Sequence, residues 1–184
     1  MTNAIIFLIS TFATLFCSAL FLRAWVFWRR IPYFNPYAAF IYKITDFIIV
    51  PVRKIIPSSS NIDFPSLIVA YIICILQLFL TTKIAMLSVD GLSEVPVDLA
   101  VLPILAFKIF INGLLSMVLW LGIIYALLSW VSPLSPFLSF LRALIEPILT
   151  PIRQLLPRAL QTAPIDFSLM FLMIGIVALQ MVFA

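Results

Sequence analysis

A segment near residue 36 returns near residue 136, and two copies of one sequence must be able to take one fold. Asn35-Pro36-Tyr37 is answered by Ser135-Pro136-Phe137, Asp46 by Glu146, and Pro51-Val52-Arg53 through Pro57 by Pro151-Ile152-Arg153 through Pro157. Over the 22 paired positions from 36 and 136 onward, six are identical (Pro, Phe, Ile, Pro, Arg and Pro) and no gap is needed. Eight more are Ile/Leu, Val/Ile, Tyr/Phe or Asp/Glu exchanges. Isoleucine and phenylalanine recur by composition in an apolar chain, but three prolines and an arginine in fixed register do not. We read an internal duplication, and a repeat decides the architecture before any single element does.

Each copy opens a helix. Asn35 and Ser135 are good N-cap residues, and each precedes a proline at the first helical position, where the missing N–H costs nothing. The spacing predicts amphipathic helices over 36–50 and 136–150. In the first, Tyr37, Phe40, Ile41, Ile44 and Ile48 make the apolar face, with Lys43 and Asp46 opposite. In the second, Phe137, Phe140, Leu141, Leu144 and Ile148 keep that phase, and Ser139, Arg142 and Glu146 form the polar stripe. Pro51 and Pro151 are expected to interrupt these helices. A short turn carrying Arg53-Lys54, or Arg153, then runs to Pro57 or Pro157.

Around the repeats lie long apolar runs. Ala4 to Leu22 has no charge, and its 19 residues suffice to cross a hydrocarbon core of about 30 Å at about 1.5 Å per residue. Composition agrees: 65% of the chain is hydrophobic and 10% charged, where a soluble domain carries about a quarter charged residues. The run reads as a retained span, since Met1-Thr2-Asn3 lacks a basic region and no small-x-small site closes it. Phe16 before Cys17 is too bulky for a lipoprotein site. Phe64 to Thr82 is the second span, with Asp63 placed to cap it and to favour its positive end. Residues 89–98 are polar, contain Gly91 and Pro96, and connect a unit over 1–88 to one over 99–184. Pro103 and Lys108 divide the apolar run over 99–130 into an interfacial lead-in and a third span over 109–130, with Lys108 snorkelling at its edge. Asp166 caps the fourth span, 167–183. The expected fold is an all-α membrane protein: four transmembrane helices arranged as two parallel hairpin repeats, each with an amphipathic interfacial or re-entrant helix between its spans.

Charge orients this arrangement. Arg23, Arg29, Arg30, Lys43, Arg53 and Lys54 lie between spans one and two, and Arg142, Arg153 and Arg158 between spans three and four, whereas the middle loop holds Lys83 and Lys108 at its edges against Asp90, Glu94 and Asp98. The positive-inside rule places both repeat motifs in the cytoplasm and the termini outside. The net charge of +4 therefore points to a membrane surface with anionic headgroups and not to nucleic acid. With no histidine, the commonest metal ligand and general base are missing. Cys17 and Cys74 fall inside apolar runs with no second ligand nearby in sequence and read as buried thiols. No cofactor, metal or catalytic residue is expected.

Paired apolar segments around Pro-[Ile/Val]-Arg-x-[Ile/Leu]-[Ile/Leu]-Pro and then Ile-Asp-Phe, twice in one chain, resemble the bacterial YggT/YlmG family. Pro51, Arg53, Pro57, Ile62, Asp63 and Phe64 carry the resemblance in the first copy. In the second it rests on Glu146, Pro147, Pro151, Arg153, Pro157, Ile165, Asp166, Phe167 and Ser168. The chain departs from the pattern at Gln154, where a second basic residue is common, and at 158–164, which replaces a shorter glycine-containing link. The resemblance implies an integral protein of the bacterial cytoplasmic membrane. It also implies links to cell division and nucleoid distribution, to osmotic stress and, in plastids, to maturation of a cytochrome complex.

The repeated arginines admit two readings. Arg53 and Arg153 are interfacial residues paired with Asp63 or Asp166, or proline-fixed turns present them to a lipid phosphate or a partner's carboxylate. Pro51, Arg53, Lys54, Pro57, Asp63, Pro151, Arg153, Pro157 and Asp166 are accordingly the interaction candidates. The functional expectation is a non-catalytic scaffold, assembly factor or accessory subunit that meets other integral membrane proteins and membrane lipid. The alternative is a small transporter or channel, for which Gln77, Asn112 and Lys108 are the available intramembrane polar groups. An enzyme would have to use Asp46, Asp63, Glu146 and Asp166 without an activated nucleophile.

Overall fold

A computed structural model describes residues 2–59, 61–87, 100–155 and 167–183. Among them are six helices and no strand: α1 (Thr2–Trp28), α2 (Pro36–Arg53), α3 (Phe64–Leu87), α4 (Leu102–Val131), α5 (Pro136–Leu155) and α6 (Phe167–Phe183). Helices α1, α3 and α4 are long and apolar enough to cross a membrane, and α6 is a shorter apolar helix. The connecting loop 89–98, Pro157 and Asp166 lie outside the described residues.

The repeat caps form as their residue types dictate. Asn35 Oδ1 accepts from the N–H groups of Tyr37 (3.0 Å) and Ala38 (3.4 Å), and Ser135 Oγ accepts from Phe137 N–H at 3.2 Å. The helices they start do not stop at the prolines. Pro51 lies inside α2, and Pro147 and Pro151 inside α5. A proline removes a single N–H donor, and α2 continues past Pro51 to a tightened last turn in which Lys54 N–H donates to Pro51 O and Ile55 N–H to Val52 O.

Two other boundaries move. Helix α1 runs past Arg23 to Trp28, because Arg23 is paired inside the fold, so its charge does not end the helix. The α1 end is a Schellman turn in which Arg30 N–H donates to Phe27 O (2.9 Å) and Ile31 N–H to Val26 O (3.2 Å). Its left-handed position, usually glycine, is held by Arg30 at φ 52°, a conformation that costs an L-residue about 1–2 kcal/mol. Residues 102–107 of the expected lead-in are instead part of α4, one helix of 30 residues. Pro103 falls in its first turn, where proline starts a helix and does not break it.

The same three pairings build both halves. Helix α1 packs on α3 and α4 on α6, α2 lies on α1 and α3, and α5 lies on α4 and α6. Contacts of α4 with α3 and α1 join the halves. At this junction Phe21 meets Phe110 edge-on at 5.0 Å, Tyr71 OH donates to Pro103 O at 2.9 Å, and Trp25 Nε1 donates to Leu144 O at 3.1 Å. The repeat-related rings of Tyr37 and Phe137 touch each other, 4.9 Å between centroids. A contact between equivalent positions marks where a twofold relating the copies would pass.

The two repeat helices present different outer faces. Helix α5 turns Ser139 and Arg142 outward over a buried row of Leu141, Leu144, Ile145 and Leu149, as the pattern predicts. In α2 the inner face is Ala38, Ile41, Tyr42, Thr45 and Ile49, while Phe40, Ile44 and Phe47 point outward. The expected apolar face is therefore rotated. The inner side of α2 must seat Arg23, so the polar Thr45 turns inward and the aromatic rings are displaced to the outside.

Candidate functional site

Arg23, by sequence a topological flank of the first span, is the centre of the first repeat. It is 1% exposed and reaches every element around it. Its Nη1 donates to Thr45 Oγ1 and Asp46 Oδ1, both at 2.7 Å, and to Tyr42 O at 3.4 Å. Its Nε donates to Asp63 Oδ2 at 3.3 Å, and its guanidinium lies 4.9 Å from the centroid of the Tyr42 ring. Helix α1 is thus tied to α2 and to the start of α3 by one side chain.

Asp63 closes the cluster. Its carboxylate is fully buried and accepts from Arg23, from Arg53 Nη2 (3.2 Å), from Ser58 Oγ (2.9 Å) and from Ser66 Oγ (2.6 Å). A buried carboxylate is stable only when paired and hydrogen-bonded, and here four donors satisfy it. Two arginines and two carboxylates make the cluster electrically neutral. Burial works against the charge of Arg53, but the Asp63 carboxylate and hydrogen bonds to Asp63 and Tyr33 hold its pKa above the ordinary guanidinium value. Its Nε, also buried, has no partner among the described residues.

The structure brings Arg53 and Asp63 together and leaves the other motif residues of the first copy outside the cluster. Pro51, near the end of α2, and Lys54 and Pro57 beyond it are exposed. In the second copy Pro151 is exposed and Arg153 Nη1 pairs with Glu146 Oε1, within its own helix. Among the described residues Arg53 meets the aspartate ahead of α3 and Arg153 meets Glu146, seven residues back in α5; Asp166, which follows the second motif as Asp63 follows the first, lies outside the described residues.

Other polar groups of the apolar helices are also spent on packing. Asn112 Nδ2 donates to Phe183 O at 3.0 Å and Gln180 Nε2 to Ser116 Oγ at 2.8 Å, both between α4 and α6. Cys17 and Cys74 are free and buried, but they are not isolated. Their Sγ atoms lie 3.9 Å apart across α1 and α3, a neighbour that 57 residues of separation concealed. Among the described residues no group of three or more His, Cys, Asp or Glu side chains could hold a metal ion.

The helical, apolar, charge-stapled architecture is that of a membrane protein. The CCB3/YggT family model matches residues 2–84 and 104–184, once over each half, and the chain belongs to that family. An uncharacterized protein from the proC 3' region of Vibrio alginolyticus is 35% identical over 175 residues, covering 95% of this chain and 90% of its own. The uncharacterized protein YggT of Escherichia coli K12 is 33% identical over 180 residues, covering 97% and 88%. An uncharacterized protein of Haemophilus influenzae is 36% identical over 157 residues, covering 84% and 77%. No solved structure matches.

Proposed function

We propose that this protein is a non-catalytic scaffold, assembly factor or accessory subunit of a larger complex in the bacterial cytoplasmic membrane. In this reading α1, α3, α4 and α6 span the bilayer as two parallel hairpins. Helices α2 and α5 lie at the cytoplasmic side, and the termini are outside, as the lysine and arginine distribution favours. One observation carries the proposal: the first repeat spends its buried charge on holding itself together and turns aromatic rings outward from α2. Arg23 and Asp63 are buried, while Phe40 and Phe47 are 63% and 68% exposed. A reaction centre or ion path would instead leave charged groups with hydrogen-bonding capacity to spare, whereas the Asp63 carboxylate is taken up by four donors.

The Pro-x-Arg ends of α2 and α5 then act as rigid edges of the docking face. Arg53 serves by fixing the turn to Asp63, and the exposed Lys54, Pro51 and Pro57 contribute the surface that partners or headgroups meet. The test is to extract the protein at native abundance in mild detergent or polymer discs and weigh the particle that carries it. Stoichiometric companions support the proposal. A lone protein or homo-oligomer that conducts ions or solutes in liposomes overturns it in favour of a transporter or channel.

A further inference from the structure

A groove of about 400 Å³ lies beside the ion cluster, where the end of α1 and the start of α3 face α4. Phe21, Ala24, Trp25, Trp28, Leu67 and Leu114 supply its apolar walls, and Asn61 and Asp63 stand at one end. The Asp63 carboxylate already has its four donors, so the cavity offers an incoming group little but apolar surface. Its rim is different. Arg30 Nη2 donates to Asn61 Oδ1 at 2.6 Å, and the Arg29 guanidinium lies 5.8 Å from the centroid of the Trp28 ring. Both arginines are exposed, and among the described residues neither forms an ion pair with a carboxylate.

We propose that this groove binds one anionic glycerophospholipid of the surrounding bilayer, with acyl methylenes in the cavity and the phosphate between Arg29 and Arg30. Size selects the occupant. A cleft of about 400 Å³ is too small for a whole lipid but takes the upper part of one acyl chain. Position agrees, because Trp25 and Trp28 sit at the end of an apolar helix, where tryptophan marks the headgroup level. Charge agrees as well. Each guanidinium carries five N–H donors, of which one is committed among the described residues, and the fork geometry suits phosphate. The Schellman turn that ends α1 keeps an arginine where glycine would relieve the backbone, which fixes Arg30 at the rim.

The inference rests on the membrane placement in the proposed function and on no particular partner. Its test uses the full chain with Trp120→Phe and Trp130→Phe, which leaves Trp25 and Trp28 as reporters. The protein is reconstituted in phosphatidylcholine vesicles containing dibrominated phosphatidylglycerol or dibrominated phosphatidylcholine. Bromine quenching should show preference for phosphatidylglycerol. An arginine near an anionic surface is worth roughly a factor of five, so Arg29→Gln with Arg30→Gln should bring the preference close to one while quenching by the brominated phosphatidylcholine persists. Ala24→Phe, which fills the groove, should weaken quenching by both lipids, with helicity confirming that each variant folds. Equal quenching by the two lipids in the unaltered rim overturns the site, and so does a preference that survives loss of both arginines. A photoreactive residue at position 28 that captures a protein segment in place of lipid also overturns it. A lone native particle with intact lipid preference would remove the accessory reading and leave this one standing, and companions without the preference would do the reverse.

Discussion

Replacing Asp63 by alanine tests whether the ion cluster holds the first repeat together. The substitution removes one carboxylate and an acceptor from four donors, among them Arg23, which is 1% exposed; Arg23 keeps Asp46, but two arginines are left with one carboxylate. Breaking a buried pair by deleting one partner costs about 3–5 kcal/mol, because the remaining charge is left without compensation. In a membrane the unfolded reference also finds polar partners, so a loss of about 3 kcal/mol is expected. Arg53→Ala should cost less, about 1 kcal/mol, since its side chain is 33% exposed and its pairing is screened. Asp46→Ala should behave similarly, its side chain being 47% exposed. Stability would be measured by titrating the purified protein with sodium dodecyl sulfate and following helicity, and a double-mutant cycle would couple Arg23→Gln to Asp63→Asn. Replacing both partners by apolar side chains, Arg23→Met with Asp63→Leu, should recover part of the loss, as apolar substitutes for buried pairs commonly do. A loss under about 1 kcal/mol for Asp63→Ala, or coupling no larger for Arg23 than for Arg53, would refute the reasoning.

Glycine positions give a paired control. A Cβ at Gly113 would meet Phe21 Cε2 at 3.1 Å, whereas one at Gly175 meets nothing within 4 Å. Phe21 is 2% exposed and held against Phe110, so it has little room to give. In the same titration Gly113→Ala should destabilise by about 1 kcal/mol after its helix-propensity gain, while Gly175→Ala should be neutral or gain up to about 1 kcal/mol. Asn35→Ala removes the acceptor of two α2 N–H groups and should cost about 1 kcal/mol, while Asn35→Ser should cost little, which thermal melts would resolve. Cys17 and Cys74 should resist a membrane-permeant maleimide in the native protein and react fully after denaturation, as read by mass spectrometry. Rapid native labelling would mean that α1 and α3 do not pack as described.

Apolar run length and cap chemistry are local signals, and the positions of the helices are legible from them. Nineteen uncharged residues from Ala4 need no partner to be read as helix, and Asn35-Pro36 and Ser135-Pro136 carry their own N-terminal geometry. Pairing is not local. Ending the first span at Arg23 treats a charge as a membrane boundary, and that rule fails when Thr45, Asp46 and Asp63, 22 to 40 residues away, supply the solvation. The rotated face of α2 has the same origin: hydrophobic periodicity counts Phe40 and Ile44 as core, but a helix beside lipid can leave apolar residues outside and turn Tyr42 and Thr45 inward. One signal for the cluster is present in the sequence. Arg23 is a cation close to the first apolar run with no counterpart in the other copy, since α4 carries no charge after Lys108.

That inequality bears on what the duplication has become. In the first copy α1, α2 and the start of α3 meet on a neutral cluster, and the outer face of α2 is aromatic. In the second, Arg153 pairs with Glu146 along α5, the outer face keeps Ser139 and Arg142, and α4 meets α6 through Asn112, Ser116 and Gln180. A symmetric device such as a pore on a twofold axis would need like groups from both copies at that axis. Tyr37 and Phe137 stand there instead, ring against ring. The copies share a backbone plan but offer different surfaces: one stapled by buried charge and outwardly apolar, the other polar on its exposed helix. Under the proposed scaffold function the two faces would meet dissimilar neighbours, which an undiverged repeat could not do.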